Sequence, residues 1–371
     1  MTSTIESCFK LGEGTVTVRE PNTALAVALG PRCAVTREGE VVCTFNAQSA
    51  LGVNDFTPML SRSPDHGITW NGERLIWPHL QQQYSIFGSV SGSPQGDLFF
   101  FGARTKIEKS GEPNWCEAQQ GLKENELIWS RSSDSGVTWS EPTVFPMPFP
   151  CAAEAPGAMC VAREGTWHVC YAPYHTFDPA LTVPRNQVVL LSSSDQGRTW
   201  RYTAMMRFGD ELSTAAEAWV VELADGRLLG TCWNMNQRDG SDYPNAYALS
   251  NDGGYTWSPT RSTGILGQST ALTPLPNGSA LFLYNQRRHG EVGVWAAHVR
   301  PTEDDFGINS NGLLWKAPRR STSVTHSEWT QFNFGEPSAT LLPDGTVLVV
   351  FWCLEDSLGS IRYLKLKAPG Y

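Results

Sequence analysis

Ser132-Ser133-Asp134-Ser135-Gly136-Val137-Thr138-Trp139 is one of four copies of the pattern Ser-x-Asp-x-Gly-x-Thr-Trp, and the other copies occupy residues 63–70, 193–200 and 250–257. We interpret each copy, called here an Asp turn, as a tight connection between two strands. The Asp side chain caps backbone N–H groups, the Gly adopts a positive φ and the Trp packs beneath the next strand. The copies recur roughly every 60 residues, which indicates an array of similar units.

A second pattern, two apolar strands joined by a glycine turn, recurs six times along the chain. Its turn glycines are Gly39, Gly96, Gly165, Gly226, Gly278 and Gly345. Asp-Gly, Asn-Gly and Glu-Gly between β-rich runs are hairpin signals. Each unit continues with a third strand that leads into the Asp turn and a fourth strand after the Trp. Six units of four antiparallel strands predict an all-β protein, a six-bladed β-propeller that forms a single domain over residues 1–371.

Two units depart from the pattern. In the fifth, residues 308–315 read as a degenerate Asp turn, and the sixth ends after its third strand. We expect the N-terminal segment Thr15-Val16-Thr17-Val18-Arg19 to supply the missing strand, because this pairing closes the last blade and removes an open edge.

Composition excludes several classes of protein. The net charge of −9 argues against nucleic acid or an anionic membrane as the main partner. No apolar run is long enough for a membrane span, and the first residues lack the basic and apolar regions of a signal peptide. The nine cysteines include no C-x-x-C pair. We therefore expect reduced thiols in a cytoplasmic protein, with no metal site and no cofactor.

The order of the strands sorts the loops onto two faces. The glycine turns and the Asp turns join strands 1–2 and 3–4, so they share one face of the propeller. The longer connections lie on the other face, and the longest spans residues 104–126. Because long loops on a rigid scaffold carry function, we expect the site there, around the central axis.

Three glutamates lie where the first strands begin on that face. Glu217 and Glu336 precede their turn glycines by nine residues, and Glu154 lies close to the equivalent position. A carboxylate among apolar strand residues is unfavourable unless it is paired or used, so the three are candidates for acid and base roles. The alternative is that each one pairs with an arginine or caps a loop. Asp55, in a strand 2–3 loop, is a candidate general acid or a turn residue.

Arginines and aromatic residues occupy the same loops. A guanidinium suits an anionic sugar because its fork binds a carboxylate with two hydrogen bonds, although loop ion pairs with the three glutamates are the alternative. Tyr174 and Trp233 are candidates for stacking on a sugar, with a place in the core as the alternative for Trp233, and His175 is a candidate proton carrier or a loop hydrogen-bonding residue. The candidate binding arginines are Arg32, Arg104, Arg238, Arg287 and Arg288.

The Asp turn resembles the Asp box, or BNR repeat, of the sialidase (neuraminidase) superfamily, and the blade number fits that superfamily across nearly the whole chain. The segment from Glu217 to Leu229 is similar to the sialidase segment whose Glu assists the nucleophilic Tyr. The resemblance implies that Arg287 or Arg288 matches the third arginine of the substrate-carboxylate triad. It also places Asp55 near the position of the acid/base Asp.

The sequence also departs from that family. It has no Phe-Arg-Ile-Pro motif, which Pro31-Arg32-Cys33 only approximates. Trp233 stands where the second triad arginine is expected, and Glu336 where the nucleophilic Tyr is expected. A glutamate at that position suggests a sugar other than sialic acid, or an inverting reaction with Glu336 as the base.

These features lead to three hypotheses. The first is an exo-acting, sialidase-like glycoside hydrolase for an acidic or decorated glycan residue. Glu217 and Glu336 would be its catalytic carboxylates, Asp55 or Glu154 its acid, and the arginines its anion-binding groups. The second is a polysaccharide lyase on the same propeller, with Tyr174 or His175 as the base and Arg287 as the charge neutraliser. The third is a glycan-binding propeller without catalysis, whose carboxylates would all be neutralised by ion pairs.

Overall fold

The computed structural model describes residues 10–210, 212–320, 326–355 and 358–368, and the regular secondary structure in these ranges is almost entirely β-strand. Six sheets hold the blades of a propeller, as the repeats predicted. Within these ranges one 3₁₀ turn, His326–Gln331, lies between the fifth and sixth blades. In the described part of the chain no helix is long and apolar enough to cross a membrane.

The first three blades follow one another along the chain. Blade 1 contains β2 (Val27–Val35), β3 (Val41–Gln48), β4 (Thr57–Ser63) and β5 (Asn71–Leu75). Blade 2 contains β6 (Tyr84–Gly92), β7 (Leu98–Lys106), β10 (Glu126–Ser132) and β11 (Thr143–Phe145). The long loop of blade 2 folds into a small hairpin of β8 (Trp115–Cys116) and β9 (Gly121–Leu122). Blade 3 contains β12 (Ala152–Glu154), β13 (Cys160–Val161), β14 (Trp167–Tyr174), β15 (Gln187–Ser193) and β16 (Arg201–Arg207).

The remaining blades complete the ring. Blade 4 contains β17 (Ser213–Glu222), β18 (Leu228–Asn236), β19 (Ala246–Ser250) and β20 (Arg261–Ser262). Blade 5 contains β21 (Gln268–Pro274), β22 (Ala280–Gln286), β23 (Gly293–Val299) and β24 (Ile308–Lys316). Blade 6 contains β25 (Phe334–Leu341), β26 (Thr346–Glu355), β27 (Leu358–Lys367) and β1 (Lys10–Val18).

The N-terminal strand closes the last blade, which confirms the prediction made from the missing fourth strand. β1 pairs antiparallel with β27, and Thr15 lies opposite Arg362. The N–H of Arg19 then donates to the carbonyl of Gly359 at 2.7 Å. Blade 6 therefore joins the two ends of the described chain.

The fifth blade differs from its prediction. Residues 308–315 do not form a turn, because they belong to β24, which pairs with β23 along most of its length. The connection between β23 and β24 is made by the preceding residues, where the N–H of Arg300 donates to the carbonyl of Gly307. Because the segment lacks the Asp that caps an Asp turn, it follows the strand ladder instead.

The Asp turns have the predicted geometry. In the copy around Asp195, Oδ1 accepts hydrogen bonds from the Ser193 hydroxyl (2.8 Å) and the Thr199 N–H (2.9 Å), and Oδ2 accepts from the Thr199 hydroxyl (2.6 Å). Gln196 and Gly197 both have positive φ, 60° and 81°. The hydrogen bonds from Thr199 hold the pKa of Asp195 at about 2.

Asp turns and glycine turns share one face of the propeller, as the loop order predicted. The Ser135 hydroxyl, in the second Asp turn, donates to the carboxylate of Glu38 in the first glycine turn. Between the blades the strands pack through apolar side chains such as Phe100 and Ile128. The eight cysteines in the described ranges are free thiols, and most of them are buried in this core.

Candidate active site

Bulges in the innermost strands aim side chains at the central axis. In blades 1, 4, 5 and 6 the register of the innermost strand shifts at the residue nine positions before the turn glycine. A bulge bends its strand and redirects a side chain, and a positive φ in a residue other than glycine is a strained conformation that often marks a functional site. The four bulge residues and their φ values are Gly30 (58°), Glu217 (49°), Ser269 (54°) and Glu336 (48°).

Each of the three candidate glutamates hydrogen-bonds to a neighbouring blade. An oxygen of Glu154 accepts from the Glu217 N–H at 2.6 Å. Glu217 in turn accepts from the Ser269 hydroxyl at 2.7 Å. The carboxylate of Glu336 accepts from the N–H of Gly30 at 2.8 Å, across the junction of blades 6 and 1. The glutamates therefore link blade 3 to blade 4, blade 4 to blade 5 and blade 6 to blade 1 near the axis.

Burial raises the pKa of all three carboxyl groups, and the charges of neighbouring glutamates raise those of Glu154 and Glu217 further. Burial, together with the charge of Glu336, raises the pKa of Glu217 to about 7. Burial and the charge of Glu217 raise the pKa of Glu154 well above its ordinary value. Burial also raises the pKa of Glu336, against the opposing charge of Arg32. Within the ranges that the structure describes, none of the three forms an ion pair, and Oε2 of Glu217 is buried without a hydrogen-bond partner.

Arg287 provides the positive charge beside these carboxylates. Its side chain is buried, its Nε donates to the Phe334 carbonyl at 2.9 Å, and its guanidinium carbon lies 3.9 Å from the ring centre of Phe332. Gly335 leaves the room that this position requires, since an added Cβ would lie 2.0 Å from Nη2 of Arg287. Burial lowers the pKa of Arg287 to about 10, so the guanidinium remains charged at neutral pH.

A cavity of about 180 Å³ opens above this cluster on the face of the long loops. Glu154, Glu217, Glu336 and Arg287 line it together with aromatic side chains. The aromatic residues are Phe56, Phe87, Trp115, Tyr174, Trp233, Trp329, Phe332 and Trp352. Acidic groups at the bottom of an aromatic-lined cavity can move protons at a bound sugar while the rings cover its apolar faces.

Arg32 lies on the other side of the cluster. It lines the central channel that runs toward the opposite face, and its guanidinium stacks on Trp219 at 5.0 Å. Its Nη1 donates to the backbone carbonyl of Glu336 at 2.9 Å, which fixes the bulge from below. Arg32 therefore supports Glu336, and its role as a substrate-binding residue stays a prediction.

Three other candidate arginines lie away from the cavity. Arg104 forms an ion pair with Glu126 at 2.7 Å, and Arg288 donates to the buried carboxylate of Asp242 at 3.3 Å. Arg238 lies in the loop between β18 and β19 and lines a separate cavity. The structure thus brings Arg287 together with the glutamates. It pairs Arg104 and Arg288 with Glu126 and Asp242, not with the three candidate glutamates that the alternative interpretation named.

The remaining candidates are divided between the cavity and the loops. Tyr174 and Trp233 line the cavity, and the indole N–H of Trp233 donates to Asp242 at 3.0 Å. The Asp55 carboxylate accepts from the N–H and hydroxyl of Ser49, and His175 supplies a carbonyl to the N–H of Leu122. Neither Asp55 nor His175 lines the cavity, and their chemical roles stay predictions.

Several site residues escaped the sequence reasoning. Ser269 holds the carboxylate of Glu217, and its position nine residues before Gly278 was the available signal. Lys123 lines the cavity from the long loop of blade 2, but its Nζ is bound to Glu112 at 2.6 Å. Phe332 and Trp329 follow blade 5 in a segment that matches neither repeat, so no pattern pointed to them.

Comparisons with known proteins agree with this architecture. The model of the BNR repeat-like domain family matches residues 114–337. The sialidase of Micromonospora viridifaciens is 28% identical over 251 residues, which cover 62% of this chain and 35% of that protein. The chain therefore spans about a third of the length of this relative.

Solved structures share the fold at low sequence identity. A protein of unknown function from Dyadobacter fermentans superimposes with a TM-score of 0.72 and 20% identity, over 97% of this chain and 100% of that one. A Hadza microbial sialidase gives a TM-score of 0.68 and 21% identity, over 93% of this chain and 66% of that one. With this fold, four Asp turns and a family match over more than half of its length, the chain belongs to the BNR repeat-like domain family within the sialidase superfamily.

Proposed function

We propose that this protein is an exo-acting glycoside hydrolase that removes an acidic or decorated sugar residue held in the central cavity. The observation that carries the proposal is the convergence of three carboxylates without ion pairs, among the described residues, on one aromatic-lined cavity that also contains Arg287. Glycoside hydrolysis needs two carboxyl groups on opposite sides of the bond, one to protonate the leaving oxygen and one to act as base or nucleophile.

The perturbed pKa values suit these two tasks. Burial and the charge of Glu217 raise the pKa of Glu154 well above its ordinary value, which favours the protonated form that a general acid needs. Glu217, with a pKa of about 7, exchanges its proton near neutrality. Glu336 receives a hydrogen bond from the N–H of Gly30 and the opposing charge of Arg32, which favour its ionised form. We assign Glu217 and Glu336 as the catalytic carboxylates and Glu154 as the acid.

The size and lining of the cavity favour a terminal sugar. Its volume of about 180 Å³ is below the range of roughly 300–1,000 Å³ that is usual for drug-sized ligands. Such a cavity suits one ring better than an internal segment of a chain. Arg287 is the cationic group of the cavity that has no acidic partner at ion-pair distance in the described ranges, so it would bind an anionic substituent.

The relative from Micromonospora viridifaciens is a sialidase, and a related activity is the basis of the proposal. The resemblance implies that Glu336 stands where the family has its nucleophilic Tyr, so the preferred sugar would be one whose anomeric centre a carboxylate can approach. A lyase is less well supported, because burial raises the pKa of Tyr174 and makes that phenol a poor base at neutral pH.

A panel of aryl glycosides and natural oligosaccharides, including sialosides and uronides, tests the proposal. We expect one acidic glycoside to be cleaved, with kcat lowered at least a hundredfold in both Glu217→Gln and Glu336→Gln. Glu126→Gln is the matched control, because Glu126 begins β10 on the same face but is paired with Arg104 outside the cavity. Full turnover in both glutamate variants would refute the assignment.

A further inference from the structure

A second cavity lies beside the central one on the same face of the propeller. Its volume is about 190 Å³, and it is enclosed by the strand 2–3 loops of blades 3 and 4 and by Gln120 of the β8–β9 hairpin. Arg185 and Arg238 line it, one from each of the two loops. None of the three candidate catalytic glutamates lines it, so it is distinct from the central cavity.

Arg185 is the buried cationic side chain of this cavity. Its residue is 7% exposed, and its guanidinium carbon lies 4.5 Å from the ring centre of Tyr174. The Nε–H is buried without a hydrogen-bond partner, and Arg185 forms no ion pair within the described ranges. A buried guanidinium is unfavourable unless an anion or hydrogen bonds compensate it, and stacking on an aromatic ring compensates only part.

Arg238 adds a second cation at the mouth of the cavity. It is exposed in a tight turn, in which its N–H donates to the Asn236 side chain at 2.9 Å and the Gly240 N–H donates to the Asn236 carbonyl at 2.8 Å. The neighbouring carboxylate of Asp239 accepts from the Ser241 N–H at 2.9 Å. Hydrogen bonds from Ser241 lower the pKa of Asp239 and favour its ionised form, so the cavity is lined by two cationic side chains and one anionic one.

Tyr174 connects the two cavities, because its side chain lines the central one and the Arg185 guanidinium stacks on its ring. We propose that the second cavity binds an oxyanion, a carboxylate or a sulfate, on the sugar unit adjacent to the one that the central cavity holds. The two arginines offer planar donor pairs that match such groups. The identity of the neighbouring sugar rests on the proposed function, whereas the binding of an oxyanion does not.

Anomalous diffraction from crystals soaked in sodium selenate, an analogue of sulfate, tests the site directly. We expect a selenium peak within hydrogen-bond distance of the Arg185 guanidinium in the unmodified protein and in Arg104→Gln, the matched control. The peak should be absent in Arg185→Gln. In solution, calorimetric titration with sulfate and with glucuronate should show binding at least tenfold weaker in Arg185→Gln. Arg238→Gln alters an exposed side chain and should weaken binding severalfold without affecting folding.

A selenate map without a peak in this cavity, or equal affinities in all four proteins, would overturn the inference. A separate test measures kcat/KM for three substrates whose neighbouring sugar is neutral, carboxylated or sulfated. Arg185→Gln should lower kcat/KM at least tenfold for whichever acidic substrate is preferred and leave the neutral one unchanged. If selenate binds but no glycoside is cleaved, the oxyanion site is supported and the proposed hydrolase function is refuted.

Discussion

Replacing Glu217 by Gln should stabilise the protein at neutral and alkaline pH. The substitution keeps an oxygen that can accept the hydrogen bond from Ser269 and removes the charge that repels Glu336. At acid pH the carboxyl of the unmodified protein is protonated and resembles the amide. The two proteins should therefore have similar free energies of unfolding near pH 4.5 and diverge as the pH rises.

The magnitude follows from the pKa of Glu217. Burial and the charge of Glu336 raise this pKa from an ordinary 4.5 to about 7, against the attraction of Arg287. Between these pH values the folded protein still holds a proton that the unfolded chain has released, so the free energy of unfolding falls as pH rises. At about 1.4 kcal/mol for each pH unit, the stabilisation of Glu217→Gln should reach about 3 kcal/mol above pH 7.

Urea unfolding followed by tryptophan fluorescence, from pH 4.5 to pH 8.5, measures this difference. Glu222→Gln is the matched control, because Glu222 lies on the same strand, β17, but is paired with Arg163 at 3.2 Å. We expect the control to show no gain in stability as pH rises. A Glu217→Gln protein that is less stable than the unmodified one at pH 8, or a difference that does not change with pH, would refute the electrostatic account.

Three further predictions concern the Asp turns and the position of Arg287 in the central cavity. Asp134→Ala removes the cap of an Asp turn, so thermal unfolding should show a loss of about 1–2 kcal/mol while kcat for any cleaved glycoside stays unchanged. The hydrogen bonds from Thr199 hold the pKa of Asp195 at about 2, so stability that is present above its ordinary pKa of 3.8 should be lost as pH falls toward 2. Asp195→Asn should reduce this loss in acid titrations of unfolding, and an unchanged titration curve would contradict it. Gly335→Ala places a Cβ against Arg287, so it should raise KM for an acidic substrate more than for a neutral one, and equal effects would contradict the role of Arg287.

The fold was predictable because its determinants are local and repeated. An Asp turn is specified within eight residues, where Asp195 binds Ser193 and Thr199 whatever the rest of the chain does. Each glycine turn likewise fixes the register of two strands. The prediction was wrong only in the fifth blade, where residues 308–315 share the spacing of an Asp turn but lack the Asp.

The site was predictable to the extent that it follows from that register. Glu217 and Glu336 converge because each occupies the same bulge position, nine residues before a turn glycine. The arginines could not be placed in this way, since the reach of a long side chain depends on which partners the loops supply. Arg104 forms an ion pair with Glu126, and Arg288 forms one with Asp242. Arg287 lies near the glutamates because Gly335 leaves space for its guanidinium.

The glutamates of the central cavity and the turns on the opposite face have opposite effects on stability. Three half-buried carboxylates, two of them at the strained bulges of Glu217 and Glu336, oppose folding, and Glu217 alone does so by about 3 kcal/mol above pH 7. Hydrogen-bonded turns on the opposite face, together with the pairing of β1 and β27, supply stability without touching the cavity. Substitutions in the Asp turns should thus destabilise the fold and leave the activity unchanged. Replacing Glu217 or Glu336 by Gln should stabilise the fold and abolish the activity. A site that is selected for function and not for stability has this opposite pair of responses.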